Sequence, residues 1–224
     1  MSETDVRANL FELRRRIAGA CRRAGRSAEE VTLVAVTKTV QPDRVIEAFQ
    51  AGVRHFGENK VQEAARKLPV LGEMVSASTW HMVGHLQSNK VKHALELFHS
   101  IDSVDSVRLA RLVDGCARKR TPILLQVNVS AELTKEGFSV RELPDAAAQI
   151  REMTHLEVRG LMTVGPLLHD PEGVRPMFRR LRELSDSLGL KELSMGMSDD
   201  FEVAIEEGAT MVRIGRGIFG ERRT

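Results

Sequence analysis

Residues 31–59, VTLVAVTKTVQPDRVIEAFQAGVRHFGEN, contain one full repeat of the architecture. The first part, Thr32–Lys38, is a run of Val, Leu, Ala and Thr that stops on a lysine. A strand that is apolar on both faces must be covered on both, which is the mark of a parallel sheet. The next part, PDRVIEAFQAG, opens with Pro42, spaces Val45, Ala48 and Phe49 at i, i+3 and i+4, and closes at Gly52. Proline in a first turn forfeits no hydrogen bond, and glycine past a last turn accepts left-handed backbone, so this segment reads as a helix. Val53–Gly57 then forms a second strand, and parallel neighbours need such a crossover helix.

The same unit recurs along the chain. Further strands are expected at Thr79–Val83, Ser100–Val104, Ile123–Val129, Val158–Val164, Glu192–Met195 and Met211–Ile214, with amphipathic segments between them. Pro144 opens one of those helices, and Gly189 and Gly208 close two others. Eight β/α units predict one (β/α)8 TIM-type barrel over residues 31–224, with residues 1–30 supplying an extra N-terminal helix. An open doubly wound sheet is the alternative. Its glycine-rich turn after the first strand is missing, because that turn reads TKTVQP. No Pro/Gly/Ser-rich linker divides residues 1–224, so one domain is expected.

The composition narrows the function classes. No apolar run approaches the roughly 20 residues that span a bilayer, and the N-terminus lacks the pattern of a secretion signal. Cys21 and Cys116 lie far apart with no second thiol at metal-ligand spacing, which fits a reducing cytoplasm. The net charge is only +2 and aromatics make up 4%, so base stacking has little to build on. The arginines from Arg14 to Arg26 read as a solvated helix face; an RNA-binding module is the least favoured reading. A barrel that buries its own core is expected to be a monomer.

In such barrels the chemistry lies at the C-terminal ends of the strands. Those ends carry Lys38, Glu58 with Asn59, His85 with Gln87, Ser88 and Asn89, Asn128, Thr163, Met195 to Ser198, and Arg213 with Gly215. Lys38 ends an apolar strand at the barrel mouth, where desolvation favours the free amine that attacks a carbonyl to form a Schiff base. The plainer reading is a surface lysine. The loops SMGMSDDFE and RIGRG follow the seventh and eighth strands, the usual phosphate position, with Gly196, Ser198, Gly215, Arg216 and Gly217 available. Ser198 also reads as a simple N-cap, and Arg213 as the partner of a barrel carboxylate such as Glu58. An amine facing a phosphate cradle suits pyridoxal phosphate or a sugar phosphate, so a Schiff-base aldolase stays open on these residues. His81 and His85 have metal-pair spacing but straddle a strand end, which argues against a shared metal. Trp80 and the methionines read as packing residues, with Met162 and Met195 as further candidates for the pocket lining.

The blocks VAVTKTVQP, HFGENKVQE, WHMVGHLQSNK, LLQVNVSAELTKEGF, RGLMTVG, LSMGMSDDFEVAIEEGATMVRIG and IFGER, in this order, resemble the pyridoxal phosphate homeostasis proteins over essentially the whole chain. That family consists of barrels related to the N-terminal domain of alanine racemase. The resemblance implies that Lys38 carries the cofactor as a Schiff base and that Asn59 lies beside it. His85 is expected at the same mouth. By the same resemblance Met197, Ser198, Gly215 and Arg216 surround the phosphate, and Arg213 faces the pyridine nitrogen. It further implies binding, protection or delivery of pyridoxal 5'-phosphate, with PLP-dependent apoenzymes as recipients and no established catalysis. A racemase-like enzyme is the alternative, but the chain has no tyrosine to act opposite the lysine. The chain departs from many members at Thr39-Val40, where they carry a second lysine; Lys135 is a further family-like lysine.

Overall fold

The computed structural model describes residues 5–130, 136–166 and 170–221. Among the described residues nine strands form, in the order β1 (Thr32–Val36), β2 (His55–Glu58), β3 (Thr79–Met82), β4 (Ser100–Val104), β5 (Thr121–Asn128), β6 (Phe138–Ser139), β7 (Leu156–Met162), β8 (Glu192–Ser194) and β9 (Met211–Ile214). All pairings are parallel. β4 pairs with β5 and β1 with β9, so every strand except β6 joins one closed eight-stranded barrel. The two-residue β6 extends β5 outside that ring, an element too short for periodicity to reveal.

The helices are α1 (Val6–Arg23), α2 (Pro42–Gln50), α3 (Val61–Leu71), α4 (Val91–Leu97), α5 (Val107–Cys116), α6 (Leu143–Arg151), α7 (Arg175–Ser187), α8 (Phe201–Glu206) and α9 (Arg216–Phe219). The expected terminators hold, since Gly52, Gly189 and Gly208 all have positive φ. α9 begins in what the sequence reads as a glycine loop and is only four residues long. Such a stub leaves the barrel wall near β9 thinly covered, and α1 packs there against α8 and α9. Asp5 caps α1 through the amides of Arg7 and Ala8, and Val6, Leu10, Leu13, Ile17 and Ala20 form its buried stripe. Asn9 Nδ2 donates to the Ile218 carbonyl at 2.9 Å, fixing α1 to α9. Arg16 and Arg23 pair with Glu202 and Glu206 of α8, and Arg26 donates to the carbonyls of Ile205 and Ala209. Much of the arginine-rich face is thus engaged in holding α1 in place.

Strand register decides which side chains enter the barrel. Val34 is level with His55 and Arg213, Gly57 with His81, His81 with Ser100, and Met162 with Ser194. Level neighbours in a pleated sheet share a face, so these residues and Asp102 line the interior. Phe56 and Trp80, one step out of phase, stack at 5.1 Å in the layer between barrel and helices.

Candidate cofactor site

Lys38 lies just beyond β1, in phase with the interior residues Val34 and Val36, and is half-buried. The strand ends two residues before it, earlier than the apolar pattern suggests, because Thr39 turns sharply with φ of 62°. A β-branched residue takes that conformation only when its surroundings impose it. Here the Thr39 amide donates to Glu63 Oε1 at 2.5 Å and its hydroxyl to the Lys38 carbonyl at 2.6 Å. Lys67 Nζ, from α3, donates to the Thr37 carbonyl, to Glu58 Oε1 (both 2.6 Å) and to Glu63 Oε1 at 3.0 Å. Both flanks of Lys38 are thereby anchored to one buried ionic cluster.

That cluster corrects the reading of Glu58. Its side chain points into the barrel–helix layer, is fully buried, and takes hydrogen bonds from Lys67 and the Thr37 hydroxyl; it is not the partner of Arg213. Burial pushes the Glu58 carboxyl up, against the opposing charge and hydrogen bond of Lys67. Asn59 follows at the strand end. Its backbone is met so closely by Gly84 that a Cβ there would lie 2.4 Å from the Asn59 carbonyl oxygen, so glycine sets the position of Asn59.

Arg213 rises from β9 inside the barrel and is 5% exposed. Its Nη1 donates to Ser194 Oγ at 2.6 Å and its Nη2 to the Thr163 carbonyl at 2.7 Å. Burial dominates its titration, pushing the guanidinium down to about 10 despite the charges of Asp102 and Asp200. A cation held by two neutral oxygens keeps further N–H groups for a ligand.

The loops after β8 and β9 face one another. Asp200, not Ser198, stands at the N-cap of α8, and its Oδ1 accepts the Met197 amide at 2.6 Å. Ser198 Oγ instead accepts the Gly217 amide at 3.2 Å, in the first turn of α9. Gly196 has φ of 93°, and a Cβ on it would meet Ala204 Cβ at 2.6 Å. At Gly215 a Cβ would lie 3.3 Å from the Val36 carbonyl oxygen. Arg216, nearly half exposed, pairs with Asp199 and with Glu221 at 3.4 Å.

Lys38, Asn59, Met197, Ser198, Arg213, Gly215 and Arg216 thus sit on strand ends and loops of the same barrel end. His85 stands farther out on the rim, where Nδ1 lies 3.2 Å from Asp105 Oδ2 and 3.0 Å from Glu136 Oε1. His81 turns inward to Asp102, so the two histidines belong to separate networks. Lys135 lies outside the described residues. Sequence reasoning missed the seats of Arg213 on Ser194 and Thr163, and the bond from Met197 to Asp200. A signal for the first was present in the strand pattern, since Ser194 and Arg213 are both interior by strand phase.

The family model for the N-terminal domain of alanine racemase matches residues 9–223. The pyridoxal phosphate homeostasis protein of Aquifex aeolicus is 43% identical over 223 residues, covering 96% of this chain and 97% of the relative. The chain belongs to the pyridoxal phosphate homeostasis protein family. Among solved structures, PipY of Synechococcus elongatus with PLP bound has a TM-score of 0.83 at 35% identity, covering 96% of this chain and all of PipY. An alanine racemase from Clostridium difficile shares the fold alone, with a TM-score of 0.70 at 13% identity, and the match spans 57% of that longer chain.

The donor set fits the cofactor of that PLP-bound relative. An amine at Lys38, a buried guanidinium at Arg213, and the Ser198 hydroxyl with the glycines Gly215 and Gly217 lie on the strand ends and loops of one barrel end, a set whose chemistry matches an aldehyde, a ring nitrogen and a phosphate. Among the described residues no helix is long and apolar enough to cross a membrane.

Proposed function

We propose that this chain binds pyridoxal 5'-phosphate and serves its homeostasis, holding or delivering the cofactor, without acting as a racemase. Support comes from the family relationship and from the residues around the barrel mouth. When bound, the cofactor supplies an aldehyde and an electron-withdrawing ring. Lys38 offers the amine that holds the aldehyde, the Ser198 hydroxyl, oriented by the Gly217 amide, receives the phosphate beside Gly215, and Arg216 adds charge at the loop edge. Met197 and Asn59 flank the group, with His85 at the outer rim.

The observation that carries the reading is Arg213, buried and seated on two neutral oxygens. A permanent cation against a ring nitrogen disfavours protonation of that nitrogen, so the ring withdraws electrons weakly and carbanion formation is restrained. The sequence also lacks the tyrosine that a two-base racemization would place opposite the lysine. The intended recipients are PLP-dependent apoenzymes, in the cytoplasm, with the chain acting as a monomer.

The test is to mix the PLP-loaded protein with a cofactor-free PLP enzyme, and separately with amino acids in deuterated water. Recovery of the acceptor's activity without deuterium exchange at the amino-acid α-carbon is the expected result. Exchange dependent on Lys38 would contradict the non-catalytic reading.

A further inference from the structure

A (β/α)8 barrel is ordinarily filled by layers of branched apolar side chains. In this chain the register turns His55, His81, Ser100, Asp102 and Arg213 into that space. Burying charge is costly unless it is paired and hydrogen-bonded, so the substitution of polar for apolar layers calls for a compensating arrangement. Asp102, fully buried, has one. Its Oδ2 accepts from His81 Nδ1 at 3.0 Å and its Oδ1 accepts from Ser100 Oγ at 2.5 Å. His81 Nε2 in turn meets His55 Nδ1 at 3.1 Å. His55 is the first residue of β2 and only half-buried, so the file runs from the N-terminal end of the barrel to its centre.

Arg213 has no such pairing. Among the described residues no carboxylate lies within salt-bridge distance of it, and its counter-charges are Asp102, on the strand across the barrel, and Asp200. Asp200 is committed to the Met197 amide, and burial pushes its carboxyl up towards the neutral form. Asp102 is the counter-charge that its neighbours keep ionised: burial opposes this, but the charge and hydrogen bond of His81 and the Ser100 hydroxyl hold it below the usual range.

We infer that Asp102, oriented by His81 and Ser100, is a positioning residue for the cofactor ring, acting through Arg213 to set the electrostatic field at the ring. This rests on the reading that PLP occupies the mouth with its ring nitrogen toward Arg213. His81 makes the device responsive to pH, because its protonation changes the charge beside Asp102. The groups facing His81 are His55 from β2, Asp102 from β4, His99 from the turn before β4 and Glu192 from β8, with Arg213 beyond Asp102.

The experiment is a pH titration of the visible absorption of the PLP-loaded protein, for wild type, Asp102→Asn and Asp102→Glu. Above the pH at which His81 is neutral, removing one negative charge leaves the field at the chromophore more positive, which favours its deprotonated form. The midpoint of the spectral change is expected about one pH unit lower in Asp102→Asn, the order for one charge across a barrel interior at an effective dielectric of about 20. Asp102→Glu, which keeps the charge, restores it; a purely structural role would not sort the two variants by charge. If Asp102→Asn does not fold, the wild-type protein decides. Reciprocity requires that a ring coupled to this file displace the His81 imidazole titration, followed by NMR, relative to a sample saturated with inorganic phosphate alone. A Lys38-linked chromophore with unchanged midpoints in the variants, or an unmoved His81 titration, overturns the inference and leaves the cofactor reading standing. A wild-type protein that takes up no PLP overturns the reading itself.

Discussion

Ser198 Oγ accepts the Gly217 amide at 3.2 Å, and this bond, with the Arg216–Asp199 ion pair beside it, ties the loop after β8 to the first turn of α9. The bond is exposed, so it contributes little to the fold. Ser198→Ala is expected to leave stability within about 0.5 kcal/mol of wild type while weakening PLP binding about tenfold, the scale of a lost hydrogen bond to a charged group. Gly217→Ala should weaken binding further, because the added Cβ would lie 3.0 Å from Ile214 Cγ2 and 3.7 Å from the Ser198 hydroxyl. Absorbance titration with PLP, beside urea unfolding without it, separates the two effects.

Arg213 is a buried cation without a contacting carboxylate, which gives its removal an unusual energetic signature. Breaking a buried ion pair typically costs about 3–5 kcal/mol because a charge is left stranded. Arg213→Met strands no charge and leaves only the Thr163 carbonyl and the Ser194 hydroxyl without a donor. The cofactor-free variant is expected to lose no more than about 1–2 kcal/mol in urea unfolding. Its PLP absorption spectrum should nevertheless differ from that of wild type.

Lys67 provides the contrast. It touches Glu58 and Glu63, and Glu58 Oε2 is already buried without a partner. Lys67→Met is expected to cost about 3–5 kcal/mol, and the double variant with Glu58→Gln to recover most of it. Since this cluster anchors Thr37 and Thr39 on either side of Lys38, the single variant should also bind PLP more weakly.

The buried histidine gives a pH signature with a defined sign. Burial alone would push the His81 imidazole down, but the charge and hydrogen bond of Asp102 prevail and hold it above 6.5. A raised folded-state value stabilises fully below 6.5, and the benefit is lost as pH rises through the folded-state value. Wild type should therefore exceed His81→Gln in melting temperature most at mildly acidic pH, the gap narrowing above neutrality. His55 and His99, whose values burial and the His81 charge lower, contribute with the opposite sign, so the comparison reads His81 together with its effect on both neighbours. A gap that widens with pH would show that Asp102 does not control the imidazole.

The barrel was legible because its strands are apolar on both faces and its helices are punctuated by residues such as Pro42 and Gly52, signals that arise locally. Lys38 could be read for the same reason, as the polar end of an apolar strand. What lay hidden depends on which face a polar residue takes. Glu58 looked like a mouth residue from its place after a strand, yet the pleat sends it outward to Lys67. Asp102 sits mid-strand in SIDSVD, and only the register with β3 shows that it meets His81 inside the barrel. The α9 turn, at four residues, is too short to carry a periodic signal.

The central claim is that Lys38 is the amine that holds the cofactor. The most direct measurement is borohydride reduction of the PLP-incubated protein, followed by peptide mapping by mass spectrometry, for wild type and Lys38→Ala. A pyridoxyl phosphate adduct on Lys38 is expected in the wild type, and its loss, with the visible absorption, in the variant. An adduct spread over other lysines, or one that survives in Lys38→Ala at the same yield, would contradict it.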